Sequence, residues 1–216
     1  MEPKKRILVM TAVNAEKDAV TRGIKNNYRY DVKLAGVGPA VAAANTATAL
    51  TFENYDLVIS AGIGGGFPNM AEVTSVAVAT EIISADLGAE TSEGFLPIEE
   101  LGFGSSRVSV DIELVSTITK ILSSQGLKVQ SGPILTLSTV TGTTETAELL
   151  SKQYPGATAE AMEGFGVATA ASIQGIPVLE IRTISNAVGP RNREAWKLKE
   201  ALQSLETTFS VLEEVL

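Results

Sequence analysis

Four short segments could carry chemistry, because each follows directly after an apolar run that is typical of a buried strand. They are Glu16, the glycines at 62–66, Met162-Glu163-Gly164, and Ser185-Asn186. In an open α/β sheet, ligands bind at the carboxyl ends of the strands, so these segments are expected to meet at one place. Carboxylates can take up a proton or accept hydrogen bonds, and an amide can both donate and accept.

The amino-acid inventory narrows the chemistry further. The chain has 216 residues, among which there is no cysteine and no histidine. Disulfides, Cys/His zinc sites, thiolate nucleophiles and Ser-His-Asp triads are therefore excluded. Acid–base chemistry must fall to carboxylates, lysine or tyrosine. With 17 basic and 25 acidic residues, a net charge of −8 and no basic stripe, the chain is not expected to bind nucleic acid.

Three common phosphate-binding or nucleophile motifs are missing. The segment Gly62-Ile63-Gly64-Gly65-Gly66-Phe67 has phenylalanine where a dinucleotide fingerprint needs its third glycine. There is no Gly-Lys-Ser/Thr for a P-loop and no G-x-S-x-G elbow. A strand that runs into glycines still indicates backbone close to a ligand.

The elements that must position these segments alternate along the whole chain. Strands are predicted at 7–13, 30–35, 56–61, 74–85, 129–139, 157–162 and 177–185, and helices at 40–50, 111–123, 145–153, 164–174 and 198–216, with a first helix capped by Asn14. Residues 86–106 are expected to be irregular. The pattern predicts an α/β fold in which residues 1–216 form a single domain, with a central mixed, mostly parallel twisted sheet flanked by helices.

The N-terminal apolar run at 7–13 is too short for a signal peptide and is followed by polar residues without a cleavage site. No segment has the ~18 consecutive apolar residues of a membrane span. We therefore expect a cytoplasmic protein that does not associate with a membrane.

The segments resemble, in their order along the chain, the nucleoside phosphorylase and nucleosidase superfamily, and specifically its purine nucleosidase branch. The resemblance covers essentially the whole chain. It is carried by residues 12–16 (AVNAE), 60–65 (SAGIGG), 161–164 (AMEG) and 182–186 (RTISN). Within the branch, residues 184–191 together with Trp196 look most like the futalosine hydrolases of the menaquinone pathway. The resemblance implies a nucleoside phosphorylase-like fold and cleavage of an N-glycosidic bond.

The same resemblance implies roles for particular residues. Glu16 matches the carboxylate that polarises the attacking water. Glu163 matches the glutamate that accepts hydrogen bonds from the ribose 2′- and 3′-hydroxyls, and Met162 the residue under the sugar. Ile63 and Gly64 fall where backbone approaches the ribose and the water. The alternative for Glu16 is a purely structural role in the first turn of a helix, where the helix dipole favours a carboxylate.

Further residues are implied at the base and at the 5′ end. Val140 and Thr141 match the segment that contacts the purine. Arg191 is a candidate cation, with Arg193 beside it, for a carboxylate on the substrate's 5′ substituent. Aromatic walls for that substituent are expected from Phe95, Phe103 and Phe165.

Asn186 is a departure from the adenine-specific nucleosidases, which carry aspartate there to protonate the purine at N7. An amide cannot donate a proton at neutral pH, but it can hydrogen-bond N7 and O6 of a 6-oxopurine at once. The resemblance therefore implies hypoxanthine as the leaving base.

Other readings stay open. A phosphorylase of the same fold would use phosphate, but residues 62–70 contain no Arg or Lys to bind it. Arg182 is either an anion ligand or an internal ion-pair partner. A methylthioadenosine/S-adenosylhomocysteine-type nucleosidase and a non-catalytic purine-ribose binding protein are the remaining alternatives. The resemblance implies a small-molecule purine nucleoside as partner, no metal or organic cofactor, and a homo-oligomer, dimeric or larger.

Overall fold

The computed structural model describes residues 5–25 and 27–216. The strands are β1 (Ile7–Thr11), β2 (Tyr30–Leu34), β3 (Leu57–Gly66), β4 (Val76–Ser84), β5 (Gly88–Thr91), β6 (Gly94–Pro97), β7 (Arg107–Ser109), β8 (Val129–Thr136), β9 (Ala159–Ala161) and β10 (Val178–Ala187). The helices are α1 (Asn14–Gly23), α2 (Pro39–Leu50), α3 (Ile112–Ser124), α4 (Thr144–Gln153), α5 (Gly164–Ile173) and α6 (Leu198–Val215).

The main sheet is mixed and mostly parallel, as predicted. Its strand order is β10-β4-β8-β9-β3-β1-β2, and β10 also pairs with β3, so that five of the strands form a closed ring. Within that ring β3–β10, β4–β8 and β8–β9 are parallel, whereas β10–β4 and β3–β9 are antiparallel. Strands β1 and β2 extend the sheet in parallel from β3. The closure of the ring was not predicted from the sequence.

Helices cover both faces of the sheet because successive strand residues point in opposite directions. In β1, Ile7 and Val9 belong to a core with the apolar faces of α1, α3 and α6, while Leu8 and Met10 belong to a second core with α2 and α5. Helices α2 and α5 pack closely, since a Cβ on Gly166 would overlap the Pro39 carbonyl oxygen. The predicted helical layers are confirmed.

Two local predictions were wrong. The strand predicted at 56–61 ends too early, because the glycines at 62–66 continue β3 and pair with β10 on one side. Because glycine has no side chain, groups from neighbouring strands can approach the backbone of β3 at these positions. Residues 86–106 are not wholly irregular, since β5 and β6 form an antiparallel hairpin within them. That hairpin has mostly exposed side chains and therefore lacks the apolar alternation that would have revealed it.

No helix in the described ranges combines the length and the apolar composition that crossing a membrane requires.

Candidate active site

One cavity lies where the carboxyl ends of β1, β3 and β10 meet the beginning of α1. Its volume is about 250 Å³, slightly below the usual range of roughly 300–1,000 Å³ for small-molecule sites. It is lined by Ala12, Val13, Glu16, Ile63, Gly64, Gly65, Leu137, Val140, Glu160, Ala161, Met162, Glu163, Ser185, Asn186 and Trp196.

The cavity contains most of the residues singled out in the sequence. Glu16, Ile63, Gly64, Val140, Met162, Glu163 and Asn186 all line it, although they come from five separate parts of the chain. Thr141 and Arg191, predicted to bind substrate directly, do not line it. Thr141 is turned inward to hydrogen-bond Glu160, and Arg191 stacks near Trp196 at the rim.

Glu16 is held by backbone donors from two elements. Its Oε2 accepts hydrogen bonds from the N–H groups of Ala12 at 2.9 Å and Val13 at 3.2 Å, and its Oε1 accepts one from Ile63 N–H at 2.9 Å. Val13, not Asn14 as predicted, is the N-cap, and Glu16 lies in the first turn of α1. The bond to Ile63 ties the carboxylate to β3, so Glu16 does more than stabilise its own helix.

Burial sets the protonation behaviour of Glu16. The side chain is only 3% exposed, and this desolvation raises the pKa of its carboxyl above the ordinary 4.5. The nearby Arg182 guanidinium and the bond from Ile63 oppose that increase. A carboxyl with a raised pKa is a stronger proton acceptor than a solvated one, which suits a general base.

Arg182 organises a buried network behind the cavity. Its Nε donates to Glu180 at 2.9 Å, its Nη1 to Glu163 at 3.3 Å, and its Nη2 to the Ser60 hydroxyl at 3.0 Å. The guanidinium is 1% exposed and does not line the cavity. Of the two roles left open for Arg182, the geometry therefore gives the internal ion-pair partner.

The network also fixes Glu163. Its Oε1 accepts from Gly38 N–H at 3.3 Å, while its Oε2 accepts from Arg182 and from Met162 N–H, both at 3.3 Å. These bonds are long, which leaves acceptor capacity on a carboxylate with two oxygens. Glu163 can therefore accept hydroxyl protons from a ligand in the cavity.

A glycine is required between the two charged groups. A Cβ at Gly62 would lie 2.5 Å from Glu16 Oε1 and 2.8 Å from Arg182 Nη1. Any larger residue would displace one of these side chains. The first glycine of the run therefore lets a carboxylate and a guanidinium approach each other across β3.

Asn186 lines the cavity near the end of β10. Its Oδ1 accepts a hydrogen bond from the Ser185 hydroxyl at 2.8 Å, and its Nδ2 donates to the Ala187 carbonyl at 3.0 Å. One Nδ2 hydrogen remains available for a ligand. Ser185 also donates toward the Gly64 carbonyl at 3.2 Å, which orients this end of β10.

The aromatic side chain that lines the cavity is not one of the three phenylalanines predicted to do so. Phe95 lies in the outer hairpin, Phe103 is 78% exposed, and Phe165 lines a separate groove, so none of them lines the cavity. Trp196 does line it, and the guanidinium groups of Arg191 and Arg193 lie 5.8 and 6.0 Å from its ring centre.

Glu160 is a cavity residue that the sequence analysis missed. It is 5% exposed and accepts hydrogen bonds from Thr141, one from the backbone N–H at 3.1 Å and one from the hydroxyl at 2.5 Å. Burial raises the pKa of Glu160 above 4.5, and the Thr141 donors oppose that increase. Strand parity could have found it, because Glu160 is two residues before Met162 and so lies on the same side of the chain.

Within residues 5–25 and 27–216, no three acidic side chains are placed to share a metal ion.

Comparisons with known proteins are consistent with the site. A sequence model of the phosphorylase superfamily matches residues 10–216. The chain is 48% identical to a futalosine hydrolase of Streptomyces coelicolor, over 97% of this chain and 96% of the relative. It is 44% identical to a futalosine hydrolase of Acidothermus cellulolyticus, over 95% and 89%. The solved futalosine hydrolase of Helicobacter pylori has the same fold, with a TM-score of 0.84, 16% identity and 98% coverage of each chain. The chain therefore belongs to the phosphorylase superfamily and, within it, to the futalosine hydrolase family.

Proposed function

We propose that this protein is a nucleosidase that hydrolyses the N-glycosidic bond of futalosine and releases hypoxanthine, a step of menaquinone biosynthesis. One observation carries the proposal: Glu16, Glu163 and Asn186 line one cavity although they are separated by up to 170 positions along the chain. The 48% identity to a futalosine hydrolase supports the choice of substrate.

In the proposed mechanism, Glu163 accepts hydrogen bonds from the ribose hydroxyls while Met162 packs under the sugar. As the bond from C1′ to the base breaks, its electron pair goes to the base and positive charge develops on the ribose. The Asn186 amide stabilises the departing 6-oxopurine by a hydrogen bond. A water molecule forms the new bond to C1′, and the ionised Glu16 takes one of its protons. The base leaves as an anion and takes up a proton from solvent to give hypoxanthine, and Glu16 returns its own proton to solvent.

The position of Arg182 favours water over phosphate as the nucleophile. A phosphate site in this cavity would need a cation, and none of the described residues that line it is lysine or arginine. Arg182, the nearby guanidinium, already donates to Glu180, Glu163 and Ser60. We therefore infer hydrolysis rather than phosphorolysis.

The rim of the cavity offers cations for the 5′ end of the substrate. Arg191 and Arg193 flank Trp196, which lines the cavity. A cation beside an aromatic wall suits the aryl ketone and carboxylate that futalosine carries. Arg191 thus remains our candidate for binding the carboxylate.

An assay of base release tests the proposal. Purified protein is incubated with futalosine, inosine and methylthioadenosine, each with and without phosphate, and free base is measured by chromatography. We expect hypoxanthine from futalosine at a rate that does not depend on phosphate. Release that requires phosphate would indicate a phosphorylase, preference for methylthioadenosine would indicate the other nucleosidase class, and binding without release would indicate a binding protein.

Asn186→Asp is expected to shift base preference toward 6-aminopurines. A carboxylate would face the lone pairs of O6, so the ratio of kcat/KM for futalosine to that for its 6-amino analogue should fall on the order of tenfold, equivalent to about 1.4 kcal/mol. The control is Asn192→Asp, which makes the same change at an exposed residue. An unchanged ratio in Asn186→Asp would remove Asn186 from base recognition.

Three finer expectations stay predictions: one nucleosidase domain over residues 1–216, a cytoplasmic location, and assembly as a homodimer or larger oligomer.

A further inference from the structure

Three adjacent strands bring Glu160, Gly65 and Asn186 into one row across the sheet. Gly65 of β3 is paired with Glu160 of β9 on one side and with Asn186 of β10 on the other. The middle position of the row has no side chain.

The two outer side chains lie on the same face of the sheet. A Cβ built on Gly65 would lie 3.4 Å from Asn186 Nδ2 and 3.4 Å from Glu160 Cγ. All three residues line the cavity. The same Cβ would lie 3.0 Å from Val188 Cγ2, so the space directly over Gly65 is filled by side chains. The carboxylate and the amide therefore lie close together on the cavity side of β3, where both can face the edge of one flat ring.

The proposed mechanism gives the buried carboxylate of Glu160 no role, and no ion pair accounts for its presence in the cavity. Its side chain is buried, which raises the pKa of its carboxyl, and no cation offsets its charge in the described part of the chain. Its two observed donors both come from Thr141. Two donors aimed at one carboxyl favour its ionised form, and each oxygen keeps a further lone pair for a ligand. A buried carboxylate without a cation is costly unless it has further donors to bind.

We propose that Glu160 is a specificity-determining residue that accepts the N1–H of a 6-oxopurine, opposite the Asn186 amide. Thr141 is then a positioning residue that holds the Glu160 carboxylate. This inference rests on the proposed function and specifies how the same cavity selects its base.

The proposal follows from the difference between the two kinds of purine. A 6-oxopurine has a donor at N1 and acceptors at O6 and N7, which match a carboxylate on one side and an amide N–H on the other. A 6-aminopurine has an unprotonated N1, whose lone pair would face the Glu160 carboxylate. A buried acceptor that is left facing another acceptor disfavours binding, so Glu160 selects against the amino base.

The test measures binding of the free bases hypoxanthine and adenine by calorimetry, so that it does not depend on turnover. The wild-type protein should bind hypoxanthine more tightly than adenine. In Glu160→Gln, whose amide can donate to N1 of adenine, the ratio of the two affinities should fall by about 10–100-fold, as expected for a hydrogen bond to a charged group. Glu148→Gln, the same change at an exposed glutamate, should leave the ratio unchanged.

Thr141→Val provides a second variant if Glu160→Gln does not fold. It removes the hydroxyl donor but keeps the backbone N–H, so the affinity ratio should fall by about threefold to tenfold. Wild-type protein that prefers adenine, equal loss of affinity for both bases, or an unchanged ratio in the folded variants would overturn the proposal. Release of hypoxanthine from futalosine by the same wild-type preparation would show that the proposed function stands even then.

Discussion

Glu16→Gln is expected to lower kcat for futalosine by roughly 10³-fold, within the range for loss of a general base. The variant keeps nearly the same shape but cannot take a proton from water. Binding of hypoxanthine should change little, because the base lies beside Asn186 rather than Glu16. Single-turnover kinetics and calorimetry separate the two effects.

The pH dependence gives a second readout of the same residue. Catalysis needs ionised Glu16, and burial raises the pKa of this carboxyl above 4.5. Wild-type kcat/KM should therefore decline with falling pH, beginning above the pH at which an exposed glutamate protonates. The residual activity of Glu16→Gln should lack that acid limb.

The matched control for this experiment is Glu148→Gln, at an exposed position of α4. It should retain wild-type kcat and the wild-type pH profile. Thermal melting of both variants checks that the loss is chemical, because Glu16 also accepts hydrogen bonds from Ala12, Val13 and Ile63. A folded Glu16→Gln protein with kcat near wild type would remove Glu16 from the mechanism.

Arg182→Met is expected to destabilise the fold by about 3–5 kcal/mol, the range for breaking a buried ion pair. Methionine fills much of the space, but Glu180 and Glu163 would lose the guanidinium that faces them. Glu180 is fully buried, and one of its oxygens already has no hydrogen-bond partner within the described residues. Urea unfolding at neutral pH measures the loss.

The loss of stability in Arg182→Met should become smaller as the pH is lowered. Burial raises the pKa of Glu180, and Arg182 opposes that increase, so removing the arginine raises the pKa further. The folded state then binds the proton more tightly than the unfolded state, in which the pKa is near 4.5. The loss of unfolding free energy in Arg182→Met is therefore largest above the folded-state pKa of Glu180. It becomes smaller as the pH falls toward 4.5.

Arg107→Met is the control for Arg182→Met. Its partner Glu81 and the arginine side chain itself are 30% and 42% exposed, so this pair should contribute about 0–1 kcal/mol. Equal losses in the two variants, or a deficit in Arg182→Met that does not depend on pH, would contradict the role assigned to the buried network.

Much of the site was predictable because its residues follow strands. Apolar runs revealed β1, β3 and β10, and the polar residues after them proved to line one cavity. Thr141 and Arg191 lie next to the cavity but do not line it, so their direct contacts with substrate stay predictions. Sequence position brings a residue near a site, but the direction of its side chain depends on what lies around it.

By itself, the sequence determined the alternation of strands and helices, the absence of histidine and cysteine chemistry, and the carboxylates and amide available at the strand ends. Only the tertiary structure decided that β10 returns to pair with β3, that Arg182 faces inward, and that Glu160 lies in a row with Gly65 and Asn186. The physical reason is that periodicity reports which face of one element is buried. Pairing between strands far apart in the chain depends on how all the elements pack together.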